Sequence, residues 1–412
     1  MNLTKLFLAY YDCRKNKRKT ASAIKFELDY ESNLIQLHEE IMNRTYTVGK
    51  SIAFIVDRPV KREIFAGDFR DRIVHHFIVN ELNPIFENLF IHDSYSCRVG
   101  KGTSFGIARM EHFMRASSDN YRSEAWILKL DIAGFFMSID RTVLLGMIEN
   151  IIDTKYSWED SETLRFLVRT VIWNDPTKNC VIKWKRTDWQ GLPRNKSLFF
   201  APPWVGLPIG NLTSQIFANL YLHPLDEFIK KTLKIQNYGR YVDDFVLLHP
   251  SRELLESSIP KIEDFLTQKL YLTLHPDKIT LRPTRDGFSF LGAYLKPYRT
   301  YIGNRTKGNF LRAIREWNEK ICHCERNEVK RGNPENIRIT TYPRSPHRSA
   351  LRDDETIFLS SVNSYLGILK QFSTYRLRKK MLSQNLSAHF WNEFYVSGGY
   401  GKIVRKRRKT WI

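Results

Sequence analysis

The apolar positions of this 412-residue chain change period several times, and each change predicts an element. Leu34, Leu37 and Ile41, with His38, recur at helical spacing, and residues 1–50 read as helical. Ile52 to Val56 is a short, branched apolar run broken by Pro59, which predicts a strand and a turn. Helical periodicity returns over 71–91 through Ile73, Val74, Phe77, Ile78 and Leu82. Trp126-Ile127-Leu128-Lys129-Leu130-Asp131-Ile132 is apolar almost throughout and predicts a buried strand that delivers one carboxylate. Asp140 then stands where an N-cap belongs, ahead of Val143, Leu144, Met147, Ile148 and Ile151. Over 174–206, Pro176, Pro193, Pro202 and Pro203 interrupt polar sequence, and a long loop or insertion is expected. Asn211 opens a further helix with Leu212, Ile216, Phe217 and Leu220 on one face. Tyr238 to His249 alternates and reads as a hairpin around Asp243-Asp244. Residues 252–271 predict a helix and 288–295 a strand pair. After about Asn304 the pattern is helical and basic, broken by a polar stretch near 325–356. The chain divides into a mixed α/β body, 1–300, and a helical appendage, 305–412.

Composition narrows the function. Hydrophobic residues at 42% and aromatics at 13% exclude a wholly disordered chain. Lys and Arg number 65 against 44 Asp and Glu, a net +21 that calls for a polyanionic partner, nucleic acid first and an acidic membrane second. No apolar run approaches the ~18 residues of a spanning helix, so the membrane reading falls away. The start lacks the pattern of a secretory signal, and five scattered cysteines make no disulfide framework. A reducing cytoplasm is the expected location.

Basic residues gather at Arg14–Lys19, five of six, and at Lys402–Lys409, six of eight. With Tyr400 and Trp411 nearby, Arg405, Lys406, Arg407 and Arg408 are candidates for RNA-backbone contact, the alternative being a solvated end. Cys322-His323-Cys324, with His347 far off, has the wrong spacing for a zinc pair. His75 and His76 fall in an apolar helical pattern and read as packing residues.

The candidate chemistry lies in three carboxylates. Asp131 ends an apolar strand, and Asp243-Asp244 sits between Val242 and the run Phe245-Val246-Leu247-Leu248. An isolated Asp-Asp pair usually marks a solvated hairpin tip. Here the apolar flanks and the independent strand-then-carboxylate pattern at Asp131 argue otherwise. Carboxylates beside apolar strands are costly to bury unless cations neutralise them, and Mg²⁺ takes such oxygen ligands. Two such ions clamp the attacking and leaving oxygens of a phosphoryl transfer. Adjacent strand residues point to opposite faces, so both aspartates serve one site only if a hairpin turn lies at the pair.

Tyr241-Val242-Asp243-Asp244 resembles the Y-x-D-D box of reverse transcriptases, and Leu130-Asp131-Ile132-Ala133-Gly134-Phe135-Phe136 resembles their first catalytic-carboxylate motif. Gly206-Leu207-Pro208-Ile209-Gly210-Asn211-Leu212-Thr213-Ser214-Gln215 matches the segment between them, and Phe290-Leu291-Gly292 a later motif. The four fall in the family's order. The resemblance implies an α+β right-hand polymerase: an N-terminal helical segment and fingers over 1–125, a palm of antiparallel sheet and helices over 126–300, and a helical basic thumb and tail over 305–412. It implies an RNA-directed DNA polymerase, a nucleotidyltransferase that uses dNTPs and two Mg²⁺ ions, with template RNA and the RNA/cDNA duplex as partners. Asp131 and Asp243 would hold the metals, with Asp244 beside them and the Ile132 carbonyl as a further ligand. Phe136 resembles the aromatic that would clash with a ribose 2′-hydroxyl, a core phenylalanine being the lesser alternative. Lys61 and Arg62 resemble basic finger residues that grip the triphosphate, and Gly210 with Ile209 would border the nucleotide. Tyr95 to Gly102 resembles the next finger motif, with Arg98 and Lys101 supplying charge to nucleic acid. Lys278 falls in the sixth motif.

The subfamily shows at one segment. Ile209 stands where most reverse transcriptases carry glutamine, and Ser214-Gln215 where most have Ser-Pro. That variant, with Asn363–Lys370 and Tyr375–Lys380, resembles the enzymes of diversity-generating retroelements, which would use a small accessory protein. Antiviral-defence reverse transcriptases, which would use a dedicated non-coding RNA, are the alternative, and an RNA-binding scaffold without chemistry is the rival from another class. The lengths at 174–203 and 322–356 exceed what the motifs require.

Overall fold

The computed structural model describes residues 2–15, 20–57, 60–157, 160–329, 346–372, 374–386 and 388–406, with side chains omitted over 320–329, 346–357 and 388–389. The chain forms two compact units, Met1–Arg285 and Asp286–Ile412. No described helix is long and apolar enough to cross a membrane.

Among the described residues of the first unit the strands are β1 (Ser51–Val56), β2 (Arg62–Ala66), β3 (Trp126–Asp131), β4 (Cys180–Ile182), β5 (Asn237–Tyr241), β6 (Asp244–His249) and β7 (Thr280–Pro283). β5, β6, β3 and β7 make an antiparallel sheet in that order. Leu128 and Leu130 of β3 are buried while Lys129 and Asp131 on the alternate face are half-buried, so one strand supplies both core and site. Beneath the sheet run the helices Phe69–Leu89 and Leu212–Tyr221, which bury Ile73, Phe77 and Leu82 from the first and Phe217 and Leu220 from the second. Helices at Leu3–Arg14, Ala21–Glu27 and Tyr30–Met42 close the core from the N-terminal side, burying Leu34, Leu37 and Ile41 as their spacing predicts. Asp140 caps the helix Arg141–Lys155, its carboxylate accepting from the amides of Thr142 and Val143 at 2.8 and 2.9 Å.

The second sheet departs from expectation. β1 pairs with β2 antiparallel, and β4 joins β1 in parallel with Ser51 opposite Cys180. The 174–206 stretch therefore contributes a strand, with short 3₁₀ turns after it, instead of looping freely. Three apolar residues among polar neighbours are too few to show a period.

The second unit carries the sheet β8 (Phe288–Phe290), β9 (Ala293–Lys296) and β10 (Arg299–Ile302). The strand pair expected at 288–295 thus belongs to this unit, ahead of the 305 boundary read from sequence. Helices Asn304–Val329, Pro346–Lys370 and Tyr375–Asn385 follow, and Trp317 stacks on Phe358 at 4.4 Å within their core. Helix continues to Val329 and resumes at Pro346 within the stretch read as a polar break. The chain ends its described part in the hairpin β11 (Phe394–Ser397) and β12 (Lys402–Arg405). The basic tail is thus partly a strand: Ile403 is buried, and the Asn363 amide brackets it, donating to its carbonyl at 2.9 Å and accepting from its N–H at 2.7 Å. Lys17, Arg18, Pro59, Arg407, Arg408 and Trp411 lie outside the described residues, as do the side chains of Cys322, His323, Cys324 and His347.

Candidate active site

Asp131 and Asp244 face each other across β3 and β6 as directly paired residues. Val242 and Asp243 form the two-residue turn between β5 and β6, with Tyr241 opposite Asp244. The hairpin turn that the adjacent aspartates require is present, and it brings the third carboxylate to the end of the same sheet. Val242 adopts φ +57°, a conformation that a β-branched residue rarely takes and that costs about 1–3 kcal/mol.

The turn has a buried support. Arg240, fully buried on β5, donates Nη1 to the Val242 carbonyl at 3.0 Å and pairs through Nη2 with Asp226 at 2.6 Å. Asp226 also accepts from Arg240 Nε at 2.8 Å and from the Tyr238 hydroxyl at 2.6 Å. Tertiary pairing over 14 residues leaves no local trace in sequence, which is why this pair escapes a motif reading.

Electrostatics at the turn are those of crowded carboxylates. Burial, then the charge of Asp131, pushes the Asp243 carboxyl up to about 6. Burial also raises Asp244, against the pull of Lys129. Lys129 Nζ lies 2.9 Å from Asp244 Oδ2, and Lys278 Nζ lies 2.7 Å from Asp131 Oδ1. Lys129 sits two residues before Asp131 on the same strand face, a signal that period-two alternation alone could have supplied. Among the described residues no three His, Cys, Asp or Glu side chains form a preassembled metal cage. The donor set still suits a hard cation: Asp244 Oδ1 is buried with no hydrogen-bond partner, and the carboxylates raise one another's affinity for positive charge. Backbone bonds around Ile132 use the Asp131 carbonyl and the Ala133 amide, at 2.8 and 2.9 Å, and leave the Ile132 carbonyl out.

The profile of the family described as reverse transcriptase (RNA-dependent DNA polymerase) matches residues 61–295, more than half of the chain. The chain belongs to the reverse transcriptase family. Two curated relatives are the uncharacterized 91 kDa protein in the cob intron of Schizosaccharomyces pombe, 24% identical over 237 residues, and protein YkfC of Escherichia coli K12, 23% identical over 266 residues. These alignments cover 56% and 57% of this chain, and 25% and 63% of the relatives' own lengths. Among solved structures, an apo telomerase of Candida tropicalis aligns over 84% of this chain and 59% of its own at 11% identity and TM-score 0.48. A Candida albicans telomerase in complex with a telomeric RNA fragment aligns over 90% and 68%, at 10% identity and TM-score 0.47.

In this reverse transcriptase chain the nucleotide-site candidates gather unevenly. Phe136 and Ile209 pack into one small cluster with Ala53, Phe65, Met137 and Leu198. The Ile209 carbonyl accepts from the Phe65 amide at 2.8 Å, and Gly210, at φ +128°, passes so close to β2 that a Cβ would meet the Phe65 carbonyl at 2.8 Å. Arg62 is exposed at the start of β2 and lies near enough to Tyr241 to lower its pKa against the larger effect of burial. Lys61 donates its ammonium to the Gln190 carbonyl at 2.6 Å and lies 3.7 Å from the Asp57 carboxylate.

Arg98 is largely enclosed by its own loop and its neighbours. Its side chain is 5% exposed, paired with Glu87 at 2.8 Å and donating to the Ile91 and Ser94 carbonyls at 2.7 and 3.0 Å. It holds the Tyr95–Gly102 loop together. Lys101 likewise bonds the His92 carbonyl. Arg405 pairs with Glu393 at 3.6 Å, and Lys406 Nζ donates to the Trp391 carbonyl at 2.7 Å. His75 is a packing residue as expected: it meets Thr213 Oγ1 at 2.9 Å, and burial lowers its pKa to about 3.

Proposed function

We propose that the chain is an RNA-directed DNA polymerase that copies an RNA template into cDNA from dNTPs. The observation that carries this reading is the register of the sheet, which sets Asp131 against Asp244 with Asp243 in the adjoining turn. Asp131, Asp243 and Asp244, with the Ile132 carbonyl, would hold Mg²⁺. Bound there, the metal would supply charge stabilisation for the transferred phosphoryl group. The chain's own residues do the positioning. Arg240 fixes the turn, Lys129 and Lys278 balance the carboxylates, and Arg62 faces the triphosphate. Phe136 screens the sugar against a 2′-hydroxyl, and Gly210 lets β2 close on the pocket.

The copying is inaccurate, and the role is that of a diversity-generating retroelement's polymerase. Support comes from Ile209, which offers the pocket an aliphatic wall in place of an amide. A hydrogen bond lost from a desolvated site is worth about 1–3 kcal/mol, or roughly a tenfold to hundredfold change in discrimination. Ile209→Gln should therefore lower misincorporation more than it changes total extension. Sequencing cDNA made by both enzymes on one RNA template tests this. Equal error spectra would remove the low-fidelity reading.

A further inference from the structure

Besides the pairing of β4 with β1, two buried side chains fasten the excursion between Asn174 and Gly206. Arg141, 2% exposed, donates Nε to the Gly206 carbonyl at 2.7 Å and Nη1 to the Asn174 carbonyl at 3.3 Å, closing the neck. Farther out, the fully buried carboxylate of Glu63 on β2 accepts from Trp189 Nε1 at 2.6 Å, Ser197 Oγ at 2.7 Å and the Leu198 amide at 2.6 Å. A segment anchored this firmly has its large side chains placed by the fold. Trp189 packs inward, but Trp184, Phe200 and Trp204 are 64%, 56% and 56% exposed.

Three observations say what covers those rings. Trp184 holds φ +72°, a strained conformation for a residue with a side chain, and strain of this kind collects at functional sites. Cations flank the rings: Lys183 lies 4.7 Å from the Trp184 centroid, and Arg194 lies 4.6 Å from that of Phe200. Lys185, Arg186 and Lys196 add exposed positive charge, and none of these five cations makes an ion pair among the described residues. A protein-docking face would join its apolar residues into a patch depleted of charge. Alternating rings and cations match a polyanion whose bases present open π faces. A duplex hides those faces, so the match is to a single strand.

The strip also borders the polymerase site. Leu198 and Trp189 pack in the cluster that holds Phe136 and Ile209, and the Asn195 carbonyl abuts Gly134, where a Cβ would come within 2.7 Å. We propose that residues 183–204 form a stacking platform for single-stranded RNA, the template strand approaching the nucleotide pocket. That the strand is a template rests on the polymerase reading; that the surface binds single-stranded RNA does not. An open groove beside Trp184, lined by Ile55, Asp57, Lys185 and Asp188, leaves room for a base, whose amino edges those two carboxylates can accept from.

The test is fluorescence anisotropy of the full chain with a labelled single-stranded RNA of about 12 nucleotides and with a blunt RNA duplex, across a salt series. Trp184→Ala with Phe200→Ala should weaken single-strand binding by about a hundredfold, roughly tenfold per ring. Duplex affinity and the melting temperature should stay unchanged. Trp184→Phe, which keeps a ring, should retain most of the affinity. Lys185→Ala with Arg186→Ala should reduce the single-strand salt slope by about 1.4. Unchanged single-strand affinity in the ring variant would overturn the proposal and leave the rings as a face for a protein. Equal loss on both RNAs would overturn it too. A wild-type chain that binds single strands through these rings but extends no primer would remove the polymerase reading and keep this one.

Discussion

Replacing Asp226 by alanine should destabilise the first unit by about 3–5 kcal/mol, the usual cost of leaving one member of a buried ion pair without its partner. The structure places this pair at the expensive end. Asp226 and Arg240 are both fully buried, and the carboxylate accepts three bonds, at 2.6 Å from Tyr238 and at 2.6 and 2.8 Å from Arg240. Without it the Tyr238 phenol loses its acceptor and the Arg240 guanidinium its counter-charge, in a place water does not reach. Urea unfolding followed by circular dichroism reads the loss as a lower midpoint at constant slope. The pair Asp226→Leu with Arg240→Met should recover much of the stability, because apolar replacement of a buried ion pair is often neutral. It also strips the Val242 carbonyl of its donor, so primer extension should stay depressed in that double variant. A loss below about 1 kcal/mol for Asp226→Ala, or a double variant that restores activity with stability, would contradict this role of the buried pair.

Two further predictions concern Asp71 in the first unit and Asn363 in the second. Burial pushes the Asp71 carboxyl up to about 6, against the opposing bonds from the Tyr46 hydroxyl at 2.9 Å and the Gly49 amide at 3.0 Å. A carboxyl raised on folding favours the native state below its unfolded pKa of about 4, and that contribution is lost as pH rises through 6; an NMR titration of its carboxyl carbon should show a midpoint near 6, and one near 4 would contradict it. Asn363→Ala should release β12, costing about 1–3 kcal/mol in the second unit and exposing the Ile403 amide to hydrogen exchange; unchanged protection there would contradict it.

Elements with a repeated local pattern can be read from the sequence alone. The strand ending in Asp131, the hairpin at Asp243 and the cap at Asp140 each repeat a period or a residue preference within a few positions, and each stands where expected. What escaped has no such repetition. β4 is three residues long, and in β12 a basic run hides the alternation of Ile403 with its neighbours. Buried charges are the larger omission. Glu63 meets Trp189 across 126 residues, and Arg141 meets Gly206 across 65, so neither partner marks the other in sequence. Arg98 likewise pairs with Glu87, eleven residues earlier, a contact that a basic residue in a glycine-bearing loop does not announce in sequence.

Three carboxylates at one end of a four-stranded sheet are proposed to perform RNA-templated nucleotidyl transfer. Extension of a DNA primer on an RNA template with dNTPs and Mg²⁺, by the wild-type chain and by Asp131→Ala and Asp243→Ala, tests it most directly. The wild-type chain should extend the primer, and each variant should lose incorporation while keeping its circular dichroism spectrum, because each would remove a ligand that the proposed metal ions share. Near-normal extension by folded Asp243→Ala protein would contradict the account.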